Sequence, residues 1–189
     1  MLQTARDGKM KKQNYKSQFD EYCSADLSRY GDSIFQQEKY FIKVFRKAQF
    51  CKNSLIKKFY RFLLYKYCEK RGLKISWRTK IGKGFYVGHP YAITINENAV
   101  IGENVNIHKG ATIGQQNRGS KKGVPEIGNC VWIGINAVIV GNIKIGDDVL
   151  IAPNAYVNFD VPSHSIVVGN PGKVISRENA TEEYINNKI

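Results

Sequence analysis

The sequence predicts a mainly β protein: a triangular coil of short parallel strands preceded by an α-helical segment. Three observations carry that expectation. An aliphatic residue returns every six positions from Ile75 onward, the hydrophobic rhythm changes near residue 75, and the charge excess stops at about the same place. The elements expected in order are a flexible tail over 1–14, an α-helical segment over 15–74, the coil over 75–175, and a C-terminal tail or short helix over 176–189.

In the helical segment, aromatic and aliphatic residues fall at mixed three and four spacings, as in Tyr40, Phe41, Val44 and Phe45 and again in Phe59, Phe62, Leu63 and Tyr65. That is the period of an α-helix with an apolar face. Glycine is nearly absent from residues 33–71 and frequent afterwards, which places the turns in the second part of the chain. Residues 1–80 hold 20 Lys and Arg against 7 Asp and Glu, whereas residues 81–189 hold 9 of each, so the first part accounts for the whole net charge of +13. Between Lys39 and Lys74 the basic residues are interleaved with Phe and Tyr. Such a face could lie on an anionic membrane surface. No helix-turn-helix or RNA-binding signature accompanies the charge, so no nucleic-acid partner is expected.

Met1 to Lys16 has no apolar core of a signal peptide, and no run of about 18 apolar residues occurs. The expected location is the cytoplasm, with the inner face of the membrane as the place where the basic helices would make peripheral contact. Cys23, Cys51, Cys68 and Cys130 show no CxxC or CxxH spacing, which supports neither a zinc framework nor a disulfide scaffold.

The hexads run through Ile75, Ile81 and Val87, slip by two residues, and resume at Ile95, Ile101, Ile107 and Ile113. After a longer interruption they continue through Ile127, Ile133, Ile139, Ile145, Ile151 and Val157. Residues six apart do not share a face of an α-helix. A coil with one short strand and one corner per hexad satisfies the pattern: the aliphatic residue fills the axis, a small partner such as Ala99, Ala111, Ala137 or Ala155 fits the corner, and the adjacent glycine (Gly82, Gly102, Gly128, Gly146) permits the turn.

Candidate chemistry collects where the register breaks. His89, in Gly88-His89-Pro90, sits at the two-residue slip and is expected on a projecting turn, held extended by the following proline. His108 takes a slot usually filled by glycine, about one coil further on. The excursion from Gln115 to Glu126 carries Arg118, Lys121 and Lys122, a basic loop suited to an acidic ligand. The spacing of His89, His108 and His164 does not match three ligands of one zinc ion, so no metal is expected. His164 is expected to be a structural turn residue, and no cysteine has the setting of a nucleophile.

The segments GKGFYVGH (Gly82 to His89), NENAVIGENVNI (Asn96 to Ile107), ATIG (Ala111 to Gly114), VWIGINAVIVGNIKIG (Val131 to Gly146) and VPSHSIVVGNPGKVI (Val161 to Ile175) resemble those of left-handed parallel β-helix acyltransferases. The similarity is to the serine O-acetyltransferases and the capsule and exopolysaccharide O-acetyltransferases. It implies a left-handed coil, a closed homotrimer with sites between subunits, acetyl-CoA as donor, and His89 as the general base that takes a proton from an acceptor hydroxyl. Glu97 matches a glutamate near the family's site, as a group to orient His89 or to hydrogen-bond the acceptor. Small residues at Gly114, Gly134 and Ala152 leave room for a pantetheine arm, N–H groups near Gly114 and Gln115 face a developing oxyanion, and Lys173 matches a cation offered to coenzyme A phosphates. His108 and Arg118 are expected at the acceptor.

Lys74 stands where serine enzymes have an aspartate that orients the histidine, so that partner of His89 is missing. Two further departures bear on the acceptor: Gly88 replaces an aspartate next to the histidine, and Gly123-Val124 replaces an Arg-His pair suited to gripping a carboxylate. The acceptor expected from these changes is a sugar hydroxyl of a capsule, exopolysaccharide or lipopolysaccharide, with serine as the alternative. A non-catalytic basic membrane- or nucleic-acid-binding protein is the alternative of another class.

Overall fold

The computed structural model describes residues 18–32, 36–51 and 53–189; the expected tail over 1–14 lies outside them. Three helices come first: α1 over 18–28, α2 over Gln36–Phe50 and α3 over Ser54–Arg71. The α3 helix starts where the Asn53 side chain accepts hydrogen bonds from the Leu55 and Ile56 amides, and it stops at Gly72, whose φ of 64° is open to glycine at little cost. Phe41, Ile42, Phe45 and Ala48 of α2 are fully buried, and Leu64, Tyr67 and Cys68 are the buried side of α3.

Three flat parallel sheets then wind into a prism. The first holds β1 (Lys74–Ile75), β4 (Thr94–Ile95), β7 (Thr112–Gly114), β10 (Val138–Val140) and β13 (Tyr156–Val157). The second holds β2 (Lys80–Ile81), β5 (Val100–Ile101), β8 (Glu126–Ile127) and β11 (Lys144–Ile145). The third holds β3 (Tyr86–Gly88), β6 (Asn106–His108), β9 (Val131–Ile133), β12 (Val149–Ile151) and β14 (Ser165–Val168), and is closed by the antiparallel β15 (Lys173–Ser176). The register is the hexad read in space: Ile75 pairs with Ile95, Ile95 with Ile113, Ile113 with Ile139 and Ile139 with Val157. These side chains are buried and form the axial core. The slip at residues 88–93 lies on the edge where the third sheet turns into the first, and the excursion from Gln115 lies where the first turns into the second.

Two local expectations are corrected. The glycines next to the aliphatic residues do not make the turns. A Cβ on Gly102 would lie 2.5 Å from the Gly128 carbonyl oxygen and one on Gly128 would lie 2.7 Å from that of Gly146, so glycine is required because successive coils approach closely. The turning is done three residues after the aliphatic position, by Gly84, Asn104, Gly110, Cys130, Asn136, Asp148, Asn154 and His164, all with φ between 52° and 75°. Asn, Asp and Gly tolerate this left-handed region best. His89 also departs from its expectation: it is not extended but has φ of 55°, because the slipped corner demands the same left-handed step before Pro90.

The helices attach to the prism through buried polar groups. Asp26 and Arg46, both with fully buried side chains, pair at 2.6 Å, and Arg46 also donates to the carbonyls of Ile81 and Gly82. Asp26 accepts from the Phe85 amide. Arg29 donates to Asn106 Oδ1 at 2.7 Å and to the Gly84 carbonyl. The C-terminal residues form turns rather than a helix and lie across the third sheet, with Ala180, Thr181 and Ile185 buried.

Candidate active site

His89 follows β3 on the edge between the third and first sheets, exposed beside buried Pro90. Its carbonyl accepts from the Tyr91 amide at 2.7 Å, which tightens the projecting turn. One coil further along, His108 ends β6 opposite Gly88 in register. Its ring occupies the space a side chain at residue 88 would need, since a Cβ on Gly88 would collide with His108 Nδ1 and Cε1. The glycine there and the histidine at 108 are one structural feature in two pieces.

The surroundings of His108 are aromatic. Its ring lies 4.8 Å from Trp132 and 6.3 Å from Tyr86, Tyr86 stacks on Tyr30 of the helical segment at 4.5 Å, and Trp132 meets Tyr184 of the C-terminal segment at 5.1 Å. Nε2 of His108 is buried with no hydrogen-bond partner. Burial, and secondarily the neighbouring His89, pull the His108 pKa down to about 4. At neutral pH this imidazole is uncharged: it can exchange a hydrogen bond with an acceptor molecule but cannot hold a carboxylate as a cation.

Beyond Trp132 the third sheet opens into a cleft of about 570 Å³, walled by Trp132, Leu150, Ala152, Ile166 and Val168 and by Tyr184 of the C-terminal segment. Sequence reasoning places Ala152 at the donor but does not single out this wall. Its trace in the sequence is the outward column Tyr86, Asn106, Trp132, Leu150 and Ile166, aligned strand to strand by the register. Gly134 is on the same edge, packed against the backbone of residues 151–153. Lys173 is exposed on β15, at the end of the same sheet.

The remaining expected residues are on another edge. Gly114, Gln115 and Glu97 lie where the first sheet turns into the second, and Arg118 is exposed in the hairpin closed by Gln116 and Gly123. Glu97 accepts from Ser76 Oγ at 3.2 Å and pairs with Arg78 at 3.5 Å. Within one chain it is therefore held at a different corner from His89, and the expectation that it orients His89 is not met by this protomer alone. His164 contacts Asp148 at 3.0 Å; Asp148 in turn accepts from the Ala180 and Thr181 amides and the Thr181 hydroxyl. Burial pushes the Cys68 thiol up to about 11, opposite to what a nucleophile needs. Among the described residues no group of His, Cys, Asp and Glu is arranged to hold a metal ion.

Comparison with known proteins finds the same repeat and the same fold. The family model "Bacterial transferase hexapeptide (six repeats)" matches residues 125–158. A serine acetyltransferase of Staphylococcus aureus strain Mu50 is 39% identical over 107 residues, covering 57% of this chain and 50% of that protein. One from Staphylococcus epidermidis strain ATCC 35984 is 34% identical over 136 residues, 72% of this chain and 61% of that protein. The crystal structure of Neisseria gonorrhoeae serine acetyltransferase in complex with serine superposes with a TM-score of 0.70 at 30% identity, covering 85% of this chain and 70% of that one. The chain spans about half the length of the first curated relatives it matches.

Proposed function

From the premise that this chain belongs to the left-handed β-helix, hexapeptide-repeat acetyltransferases that include the serine acetyltransferases, we propose that it moves an acetyl group from acetyl-CoA to an alcohol by direct transfer. The observation that carries the reading is His89 on its projecting, left-handed corner beside the His108 ring, which in turn lies against Trp132. A neutral imidazole there takes the proton of the acceptor hydroxyl as that oxygen attacks the thioester carbonyl. The tetrahedral intermediate then collapses, the C–S bond breaks, and the sulfur of coenzyme A leaves with the proton His89 had taken.

The donor is assigned to the cleft walled by Trp132 and Ala152, with Lys173 on the neighbouring β15 for the phosphates. The amides near Gly114 and Gln115 are suited to the oxyanion but lie on another edge of the prism. A closed trimer would set that edge against the His89 edge of the next subunit, together with Glu97 and Arg118. Cyclic symmetry makes this one contact repeated.

The acceptor is serine in this reading, because the relatives and the solved structure named above are serine acetyltransferases, the Neisseria gonorrhoeae one in complex with serine. This reverses the preference for a sugar hydroxyl drawn from the departures at residues 88 and 123–124. Those departures keep the glycan as the second reading: His108 is uncharged and Gly88 leaves no room for a carboxylate, so the amino acid would need another anchor.

The test is thiol release from acetyl-CoA with serine and with free and nucleotide-linked sugars. Turnover with serine and O-acetylserine as product is expected, with a loss of about 10² to 10⁴ in kcat for His89→Ala. Turnover on sugars alone would move the assignment to the second reading. No turnover on any alcohol, together with no calorimetric binding of acetyl-CoA, would overturn both.

A further inference from the structure

A surface helix normally shows one apolar side, but α3 has two. Leu64, Tyr67 and Cys68 are buried against the fold. On the opposite side Leu55, Phe59 and Phe62, spaced four and three residues apart, are 75%, 56% and 56% exposed, and Tyr65 beside them is 59% exposed. This spacing puts the three on one line of the helix. Exposed Lys58, Lys66 and Lys70 flank that line. The helix's single acidic residue, Glu69, is engaged by the Tyr65 hydroxyl at 2.9 Å and by Lys66 at 3.4 Å.

We propose that this face of α3 docks on an anionic lipid surface, with Leu55, Phe59 and Phe62 at the boundary of headgroups and acyl chains and the three lysines on lipid phosphates. The charge selects this occupant over a second copy of the chain. Two such faces pressed together would oppose lysine to lysine around the apolar line, and the prism of a neighbouring copy offers no net opposite charge, since residues 81–189 hold 9 basic and 9 acidic residues. The apolar line itself selects lipid over nucleic acid, whose phosphates need the lysines but not three large aliphatic and phenyl groups. No described helix is long and apolar enough to cross a membrane, so the contact is interfacial, with α3 lying in the plane of the surface. The inference is independent of the acceptor and of the acetyl-transfer reading.

The experiment is flotation of the full chain with vesicles of phosphatidylcholine alone and of phosphatidylcholine mixed with phosphatidylglycerol. Binding to the mixed vesicles only, weakened by added salt, is expected. The double variant Phe59→Ser with Phe62→Ser should bind at least about tenfold more weakly, while its circular dichroism and thermal unfolding stay those of the parent. Lys58→Glu with Lys66→Glu should lose the preference for the anionic vesicles. Absence of binding to the mixed vesicles, or binding indifferent to both double variants, would overturn the proposal. So would light scattering in which the parent chain self-associates through this face and the Phe variant does not, or binding of a mixed-sequence RNA that the Phe variant loses in parallel.

Discussion

The prism and the helical segment solve the same problem, burying an apolar face, by opposite means. In the prism most coils repeat the last: an axial Ile or Val, small residues at corners, left-handed residues at many of the corners, and glycines where successive coils approach closely. Outside the slip at residues 88–93 and the excursion from Gln115, the fold is a sum of near-identical steps. The helical segment has no repeat. It is fixed to the prism at a few points, and those points are buried charges, Asp26, Arg29 and Arg46, rather than apolar contacts alone. A repeated apolar code tolerates local loss, whereas attachment by a paired charge is all or nothing.

The largest effect should come from breaking that attachment. Arg46→Ala leaves Asp26 buried without its partner and strips donors from the carbonyls of residues 81 and 82; a loss of about 3–5 kcal/mol is expected. Hydrogen exchange should show α1 and α2 losing protection while the strands from β7 onward keep theirs. Simultaneous loss across the whole chain would break the contrast, showing that prism and helices form one cooperative unit.

Next is Gly128→Ala within the prism. Its new methyl would meet the backbone at Gly146, which cannot yield as a side chain can, so a cost of about 1–3 kcal/mol is expected in chemical denaturation. A neutral outcome would mean that the coils separate more easily than their spacing indicates.

His108 gives a pH test at the junction of the two regions, where Tyr30 and Tyr86 back the aromatic row. Its folded-state pKa of about 4 lies below the ordinary value of about 6.5. The unfolded chain therefore takes up the proton first, and the contribution is full above about pH 6.5 and lost as the pH falls toward 4, by up to about 3 kcal/mol. Denaturant unfolding of the parent and of His108→Phe across that range should show the parent losing stability relative to the variant. Parallel curves would place the imidazole in water.

The smallest effect is expected at the solvent side of α3. Phe62→Ser should shift unfolding free energy by no more than about 0.5 kcal/mol, in contrast to a fully buried helical residue such as Phe45, where Phe45→Ala should cost about 3–5 kcal/mol. A large penalty at Phe62 would mean that this side is covered in solution.

Much of the prism is legible in the sequence, since a six-residue period maps one residue type onto one spatial slot and the slots stack in register. His89 is legible for a related reason, as the residue at which the register slips. The role of the adjacent glycines is not, because a turn and a close backbone approach both call for glycine, and only the distance to the next coil separates them. The cleft beyond Trp132 is hidden too, because its wall is drawn from strands 16 and 18 residues apart and its other side from the C-terminal segment.

By itself, then, the sequence determined the period, the axis, the two breaks in register and the basic first part, because these are properties of neighbouring residues along the chain. The tertiary structure alone decided that His108 fills the space above Gly88 and loses its charge, that Glu97 is held on a different edge from His89, and that α3 turns its phenyl groups outward. Each of these depends on which groups are excluded from water together, and that is set by how the coils and helices close on one another.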